Sequence, residues 1–214
     1  MAAIIAIPSA AAAQTPLPET IPIFPLEDVM LFPEMSVPLH IYEPRYKAMV
    51  ADALKGDRII GMVLLRPGYE KDYERSPSVF QIGVAGKINE SEQLPNGEYN
   101  ITLGALTKYR ITREEASRPY RVAHVTAIAD ATSDGDKAAL HQRRQRLEAL
   151  ITESGGRTGV RAVPDNISDE GLVNGISQLA HIDELDREHL LETSTPLARA
   201  DALIAILEKM IAER

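Results

Sequence analysis

The stretch PLHIYEPRY, at residues 38–46, sets a strand directly before a helix. Its first half lies within an apolar run that predicts a short strand over residues 37–41. Its second half predicts a helix that begins near Pro44, because proline suits the first helical turn, where its missing N–H would have no intrahelical partner. Apolar residues then recur at helical spacing until residues 55–57 (KGD) end the helix. The stretch therefore predicts a tight corner between a strand and a helix.

The four residues of this corner, Glu43, Pro44, Arg45 and Tyr46, are predicted to have a structural role. Pro44 fixes the backbone at the helix start. Arg45 is placed to form an ion pair with Glu43 or with a carboxylate elsewhere in the fold, while Glu43 has the alternative of capping the helix. His40 stands three residues before Glu43, and we interpret it as a hydrogen-bonding residue in preference to a metal ligand.

Prolines also punctuate the sequence upstream of the corner, in IPIFPL at residues 21–26. Because proline cannot donate to a sheet ladder, this segment predicts an edge strand or an irregular strand. An edge position would leave Ile23 and Phe24 near the surface, so we take both as candidate partner-binding residues. The alternative is that Phe24 simply fills the core.

Downstream of the corner, short β-type runs alternate with turns. Residues 59–65 are almost continuously apolar and predict a buried strand. The Asn96-Gly97 pair predicts a hairpin turn. Further strands are predicted at residues 79–88, 99–103, 108–112 and 121–128. Several short strands with one early helix predict a small closed or partly closed barrel, in which closure removes the exposed sheet edges.

From about Asp136 the pattern is helical. Ser168 is predicted to cap one helix, and Thr195-Pro196 to open the last. The fold class is therefore α+β: a small β-barrel with an early helix over residues 20–130, followed by a C-terminal helical bundle over residues 131–214.

Residues 1–19 are predicted to be a disordered tail or the remnant of a signal peptide. The Ala-rich end suits a cleavage region, but no Lys or Arg precedes the apolar stretch, which Pro8 interrupts. The first interpretation predicts a cytoplasmic protein and the second a periplasmic one. No apolar run reaches the roughly 18 residues of a membrane span, so no membrane association is predicted.

Composition narrows the function. The chain has no cysteine, which excludes disulfides and thiolate metal sites, and its formal net charge of −8 disfavours nucleic-acid binding. Arg143, Arg144 and Arg146 could face RNA or an acidic partner, but we interpret them as a solvated helix face balanced by Glu148 and Glu153.

Sequence motifs of catalysis are not found. The chain contains no phosphate-binding G-x-x-x-x-G-K-[ST] and no G-x-S-x-G nucleophile turn. No serine and lysine stand in an arrangement typical of a catalytic dyad. We therefore predict a protein that is not an enzyme, with no catalytic residue, no cofactor and no metal.

Residues 21–26, 29–33 and 38–46 together resemble the opening of the amino-terminal domain of the ATP-dependent Lon proteases. Residues 60–63, 82–88, 94–97 and 190–193 continue the likeness in order, so that it covers residues 20–214. The resemblance implies a PUA-like barrel followed by a helical part. In Lon proteases this region helps to bind unfolded or tagged substrates and to assemble the hexamer, and the ATPase and serine–lysine protease domains follow it. This sequence stops at Arg214 before either, so we expect a free-standing form without protease activity.

The resemblance implies a non-catalytic module that binds unfolded or extended protein segments, with a protease or a chaperone as a further candidate partner. We take the loop at residues 66–78 as the rim of the binding surface. Its Tyr69 and Tyr73 are the preferred contact residues, because tyrosine buries a large area at a small entropic cost. The alternatives are an RNA-binding PUA-like domain, which needs a basic stripe, and an uncharacterised hydrolase, which needs a nucleophile beside a base.

Overall fold

The computed structural model describes residues 17–71, 75–115, 118–130, 132–160 and 166–213. The described residues form a mixed α+β structure of six strands and five α-helices, in agreement with the predicted class. In chain order the elements are β1 (Thr20–Leu26), β2 (Ser36–Ile41), α1 (Pro44–Lys55), β3 (Ile59–Leu65), β4 (Val79–Gln93), β5 (Tyr99–Glu115), β6 (Val122–Ile128), α2 (Lys137–Glu153), α3 (Asp169–Leu179), α4 (Glu184–Glu192) and α5 (Pro196–Ala212). Of the tail predicted at residues 1–19, residues 1–16 lie outside the described residues.

The six strands form one sheet in the order β2-β5-β4-β3-β1-β6, and β5 pairs additionally with β6. Strands β1 and β3 run parallel, whereas the other pairings are antiparallel. The pairings of β1, β3, β4, β5 and β6 therefore close into a ring. Among the described strands, β2 pairs with the first part of β5 and with no other, which makes it an edge strand.

The prediction of two separate strands at residues 99–103 and 108–112 is wrong, because residues 99–115 form the single strand β5. The sequence Gly104-Ala105 suggested a break. In the structure the ladder between β4 and β5 continues past it, and a register shift between Ala85 and Gly86 absorbs the irregularity. This long strand carries β2 on its first part and β6 on its second part.

Tyr109 of β5 occupies the core of this ring. It is fully buried, and its hydroxyl donates a hydrogen bond to the Met62 carbonyl oxygen, 3.1 Å away. A Cβ atom at Gly61 or at Gly83 would stand 2.7 Å from the Tyr109 side chain. These glycines therefore make room for the Tyr109 ring.

The helix starts follow the sequence prediction. Helix α1 begins at Pro44. The Ser168 side chain accepts a hydrogen bond from the Gly171 backbone N–H at the start of α3, and Thr195 accepts one from Ala198 at the start of α5. None of the described helices combines the length and the apolar character needed to cross a bilayer.

The chain groups into two compact units, whose described parts are residues 17–129 and 130–213. The second unit contains α2 to α5 and a buried arginine. Arg199 of α5 is completely shielded from solvent, and its guanidinium donates to both Asp130 oxygens at 2.8 and 3.0 Å. It also donates to the Asn174 side chain of α3 at 2.6 Å and to the Leu190 carbonyl of α4 at 3.0 Å. One side chain thus joins three helices to the segment that follows β6.

Replacing Arg199 by Met should destabilise the second unit by about 3 kcal/mol, because it removes the guanidinium partner of a buried carboxylate. Urea unfolding followed by the helical circular dichroism signal measures the change; the chain contains no tryptophan for a fluorescence readout. Arg146→Met is the matched control, since its ion pairs with Glu153 and Glu208 are exposed, and it should cause only a small loss. Equal losses in the two variants would contradict the role assigned to Arg199.

Candidate functional site

A groove of about 620 Å³ lies in the first unit between the end of β1, strand β2 and the start of α1. The 3-10 turn at Tyr69–Lys71 contributes to its margin. Its lining residues are Phe24, Pro25, Leu26, Glu27, Asp28, Val29, Pro38, Leu39, His40, Ile41, Tyr42, Glu43, Tyr46, Leu65, Tyr69 and Glu70. We take this groove as the candidate site because its most deeply buried lining residues are apolar.

Buried apolar side chains form the bottom of the groove. Phe24, Ile41, Tyr46 and Leu65 are each at most 5% exposed. The Phe24 and Tyr46 rings pack at a tilt with their centroids 4.3 Å apart. Because these residues come from β1, β2, α1 and β3, the groove is fixed by the core of the first unit and needs no rearrangement to exist.

Tyr42 presents the largest exposed aromatic surface of the groove. It is 62% exposed and follows β2 directly, and its ring stacks near that of His40 with 6.3 Å between centroids. The sequence analysis did not single out Tyr42. Alternation along β2, which turns Val37 and Ile41 inward, could have indicated that Tyr42 points outward.

The corner after Tyr42 is held by side-chain interactions. Arg45 forms an ion pair with Glu43 at 2.9 Å, as expected, and its guanidinium lies 4.6 Å from the centroid of the Tyr46 ring. Glu43 occupies the N-cap position of α1 without a side-chain capping hydrogen bond, so the alternative capping role is not observed. The Glu43 carbonyl oxygen instead accepts from the Tyr46 and Lys47 backbone N–H groups.

The four candidate partner-binding residues differ in placement. Ile23 is fully buried within the core cluster around Tyr109, so its predicted place near the surface is wrong: its side chain faces the closed ring of strands. Phe24 lies at the bottom of the groove and Tyr69 at its margin, where the Tyr69 hydroxyl donates a hydrogen bond to the Glu27 carboxylate. Tyr73 lies outside the described residues.

Carboxylates dominate the polar part of the lining. Glu27, Asp28, Glu43 and Glu70 line the groove, and no Lys or Arg side chain is among the described lining residues. Arg45 offsets the charge of Glu43. In the part of the chain that the structure describes, no Lys or Arg forms an ion pair with the other three. The margin of the groove is therefore negatively charged around an apolar floor.

The free edge of β2 is poorly suited to adding another strand. The Ala105 N–H donates to the Met35 carbonyl oxygen at 2.8 Å. Because hydrogen-bonded and non-hydrogen-bonded residue pairs alternate along an antiparallel ladder, this bond indicates which residues of β2 are hydrogen-bonded to β5. Ser36, Pro38 and His40 consequently turn their backbone groups away from β5. Pro38, at the middle of that edge, has no N–H to donate, so a ligand in the groove would depend mainly on side-chain contacts.

His40 lines the groove and belongs to a hydrogen-bonded surface cluster. Its Nδ1 lies 2.8 Å from the Asn100 amide oxygen, and its Nε2 lies 2.9 Å from the Glu98 carboxylate. Thus His40 is a hydrogen-bonding residue, as interpreted from the sequence. Among the described residues, no group of three His, Cys, Asp or Glu side chains is arranged to hold a metal ion.

The described residues contain no histidine placed to act as a base for a hydroxyl nucleophile. The described histidine rings have no hydrogen bond to a serine, threonine or tyrosine hydroxyl; His124, for example, contacts Glu115 at 2.5 Å. The Tyr120 hydroxyl donates to Asp52 at 2.8 Å, and burial of its ring raises the pKa of Tyr120 above its ordinary value of 10.0. A phenol held in its neutral form is a weak nucleophile, so this arrangement does not favour the hydrolase alternative.

The three arginines that could have faced RNA, which the sequence analysis interpreted as a balanced helix face, are all engaged with carboxylates. Arg143 pairs with Asp201, Arg144 with Glu148 and Asp169, and Arg146 with Glu153 and Glu208. The predicted balance by Glu148 and Glu153 is confirmed. The pairing offsets the positive charge that an RNA-binding surface would need.

The family model of the ATP-dependent protease La (LON) substrate-binding domain matches residues 20–209. The chain belongs to this family. Its apolar groove is therefore a groove on a Lon substrate-binding domain.

Relatives and solved structures agree with this membership. The chain is 26% identical over 194 residues to the Lon protease of Desulfovibrio desulfuricans, covering 88% of this chain and 22% of that protein. It is 25% identical over 203 residues to the Lon protease of Cytophaga hutchinsonii, covering 91% and 24%. The chain thus spans about a quarter of the length of the curated relatives it matches.

The fold is that of solved Lon amino-terminal domains. The N-terminal domain of the Mycobacterium avium complex Lon protease superposes with a TM-score of 0.68 at 16% identity, covering 88% of this chain and 98% of that one. A Lon N-terminal domain protein from Xanthomonas campestris gives 0.58 at 19% identity, covering 87% and 97%.

Replacing Arg45 by Ala should lower the free energy of unfolding by about 1 to 2 kcal/mol, because it removes an ion pair and a cation–π contact at the corner. Binding of an uncharged apolar peptide by the folded fraction should stay unchanged. Thermal unfolding and fluorescence anisotropy measure the two quantities. Lys47→Ala removes a charge from the same helix and serves as the control. Unchanged stability combined with lost binding would make Arg45 a contact residue.

Asp52 of α1 gives a prediction for the pH dependence of stability. The hydrogen bond from Tyr120, aided by the charges of Lys55 and Arg118, holds the pKa of Asp52 below its ordinary value of 3.8. A lowered pKa contributes stability that is present above the unfolded pKa and is lost as the pH falls through the folded one. The melting temperature of Asp52→Asn should therefore lie below that of the unaltered chain at neutral pH. The difference should shrink on acidification below about pH 4, and a constant difference would refute the linkage.

Proposed function

We propose that this Lon substrate-binding domain is a non-catalytic module that binds unfolded or extended polypeptide in the groove between β1, β2 and α1. The observation that carries the proposal is the exposed Tyr42 ring beside a buried apolar floor. Such a surface leaves aromatic area open to solvent after folding, and open apolar patches are typical of interaction sites. A segment with apolar side chains would cover Tyr42 and contact Phe24 and Tyr46.

Membership of the family supports the general role, since the family is described as substrate-binding. The scaffold suits the role as well. We propose that the closed ring of strands is a PUA-like barrel and that its residues hold the groove open. We propose that the second unit, which follows it in the sequence, is a helical bundle. Because the groove is already rigid, binding a ligand does not carry the entropic cost of ordering the protein's side chains and loops.

The mode of binding follows from the edge of β2. Strand addition needs a continuous row of backbone donors and acceptors, and Pro38 interrupts that row. We propose that affinity comes from side chains inserted against Phe24, Tyr42 and Tyr46. Recognition of this kind depends on apolar content and on an extended shape, which unfolded proteins offer and folded proteins conceal.

Replacing Tyr42 by Ser should weaken binding of a short fluorescein-labelled peptide of leucine and phenylalanine spaced by serine and glycine by roughly tenfold, about 1.4 kcal/mol. Fluorescence anisotropy measures the dissociation constant. The melting temperature should hardly change, because Tyr42 is mostly exposed. Leu185→Ser is the matched control: Leu185 is 49% exposed in the other unit, and its loss should leave the affinity unaltered.

Two results would count against the proposal. Absence of peptide binding by the unaltered chain would remove the function itself. Equal affinity of the Tyr42→Ser variant and the unaltered chain would remove the groove as its location. The Tyr69→Phe variant is a second test. It keeps the aromatic ring at the margin and removes only the hydroxyl that donates to Glu27, so we expect it to bind the peptide with the affinity of the unaltered chain.

A further inference from the structure

The groove combines its apolar floor with a margin of one charge sign. Resting on the proposed function, we infer that the groove selects polypeptide segments in which apolar side chains are flanked by lysine or arginine, and discriminates against segments flanked by aspartate or glutamate. The partner is thus a cationic, apolar, extended segment. The proposal names the class of substrate for the site and goes beyond binding of unfolded chains in general.

Charge complementarity carries this inference. Glu27 and Asp28 follow the end of β1, and Glu70 stands in the 3-10 turn. These three carboxylates have no described Lys or Arg within ion-pair distance. A ligand cation would therefore meet them without displacing a basic side chain of the described residues.

Glu43 completes the margin but contributes less. Its charge is offset by Arg45 at 2.9 Å. Glu27 accepts a hydrogen bond from Tyr69, yet an ionised carboxylate has capacity for further donors and can still accept from a ligand. Asp28 and Glu70 are consequently the carboxylates whose removal changes the charge of the margin with the least disturbance to the structure.

The free energies of the two kinds of contact indicate that the apolar floor supplies affinity and that the charged margin supplies specificity. An exposed ion pair contributes about 0.2 to 1 kcal/mol, so the carboxylates alone would not hold a peptide. Apolar contact supplies most of the affinity. Several like charges around one groove nevertheless sum to a field that attracts cations and repels anions, and repulsion of the wrong partner is an effective source of specificity. We expect selection of about tenfold, dependent on salt.

The test uses peptides with one apolar core and three kinds of flank: lysine, glutamate or serine. Anisotropy titrations with the full chain at low salt should show the lysine-flanked peptide binding about tenfold more tightly than the glutamate-flanked one, equivalent to about 1.4 kcal/mol. The serine-flanked peptide should lie between them. Raising the salt concentration should reduce the difference.

The double variant Asp28→Asn with Glu70→Gln should lower the ratio between lysine- and glutamate-flanked peptides to below about threefold, while the serine-flanked peptide keeps its affinity. The control is Asp186→Asn with Glu184→Gln, which makes the same two chemical changes at exposed positions of α4. This control should retain the full ratio.

The outcomes separate the two proposals. Equal binding of all three peptides would overturn the charge selection and leave the proposed function standing. Binding of none would overturn both. An equal fall of the ratio in the two double variants would also overturn the inference, because it would assign the selection to the formal net charge of −8 and not to the margin of the groove.

Discussion

Pro44 and the ion pair between Glu43 and Arg45 constrain how the chain leaves β2, and the groove depends on that constraint. Proline fixes one backbone angle at the first turn of α1, while the ion pair holds the two side chains that flank it. The helix then presents Tyr46 to Phe24 of β1. With the corner fixed in this way, Tyr42 stands outside the core while its neighbour Ile41 is buried. One tight turn thus separates the apolar floor from the exposed aromatic surface.

The ring of strands provides the rigid support for this corner. Tyr109 fills the space left by Gly61 and Gly83, and its hydroxyl is satisfied by a backbone carbonyl. A core of this kind tolerates little change in volume, so Phe24 of β1 and Leu65 of β3, at the bottom of the groove, are held by strands that cannot easily shift. Strand β2 is the exception to closure. It remains an edge, and Pro38 limits what can pair with it, which shields the edge from aggregation as well as from strand addition.

The second unit combines an apolar core with a buried polar cluster. Arg199 meets Asp130, Asn174 and the Leu190 carbonyl in a buried cluster. A buried guanidinium is tolerated only when its donors are satisfied, so the cluster specifies which helices come together as well as contributing energy. The segment at Asp130 that follows β6 is thereby fixed to α5. The groove is lined by residues of the first unit alone.

The sequence by itself determined the local structure. Pro44, Asn96-Gly97, Ser168 and Thr195 act through backbone chemistry within a few residues, so their helix starts and turns were predictable, as were the buried strand β3 and the α+β class. The family also followed from sequence, because its motif lies in the contiguous residues 38–46. Tertiary structure alone decided that Ile23 is buried, that residues 99–115 form one strand, and that Arg199 is a core residue. It also decided that Tyr42, Phe24 and three distant carboxylates share one groove. These outcomes depend on which segments meet across the ring and between the helices, and such contacts between residues far apart in the chain leave no periodic trace in the sequence.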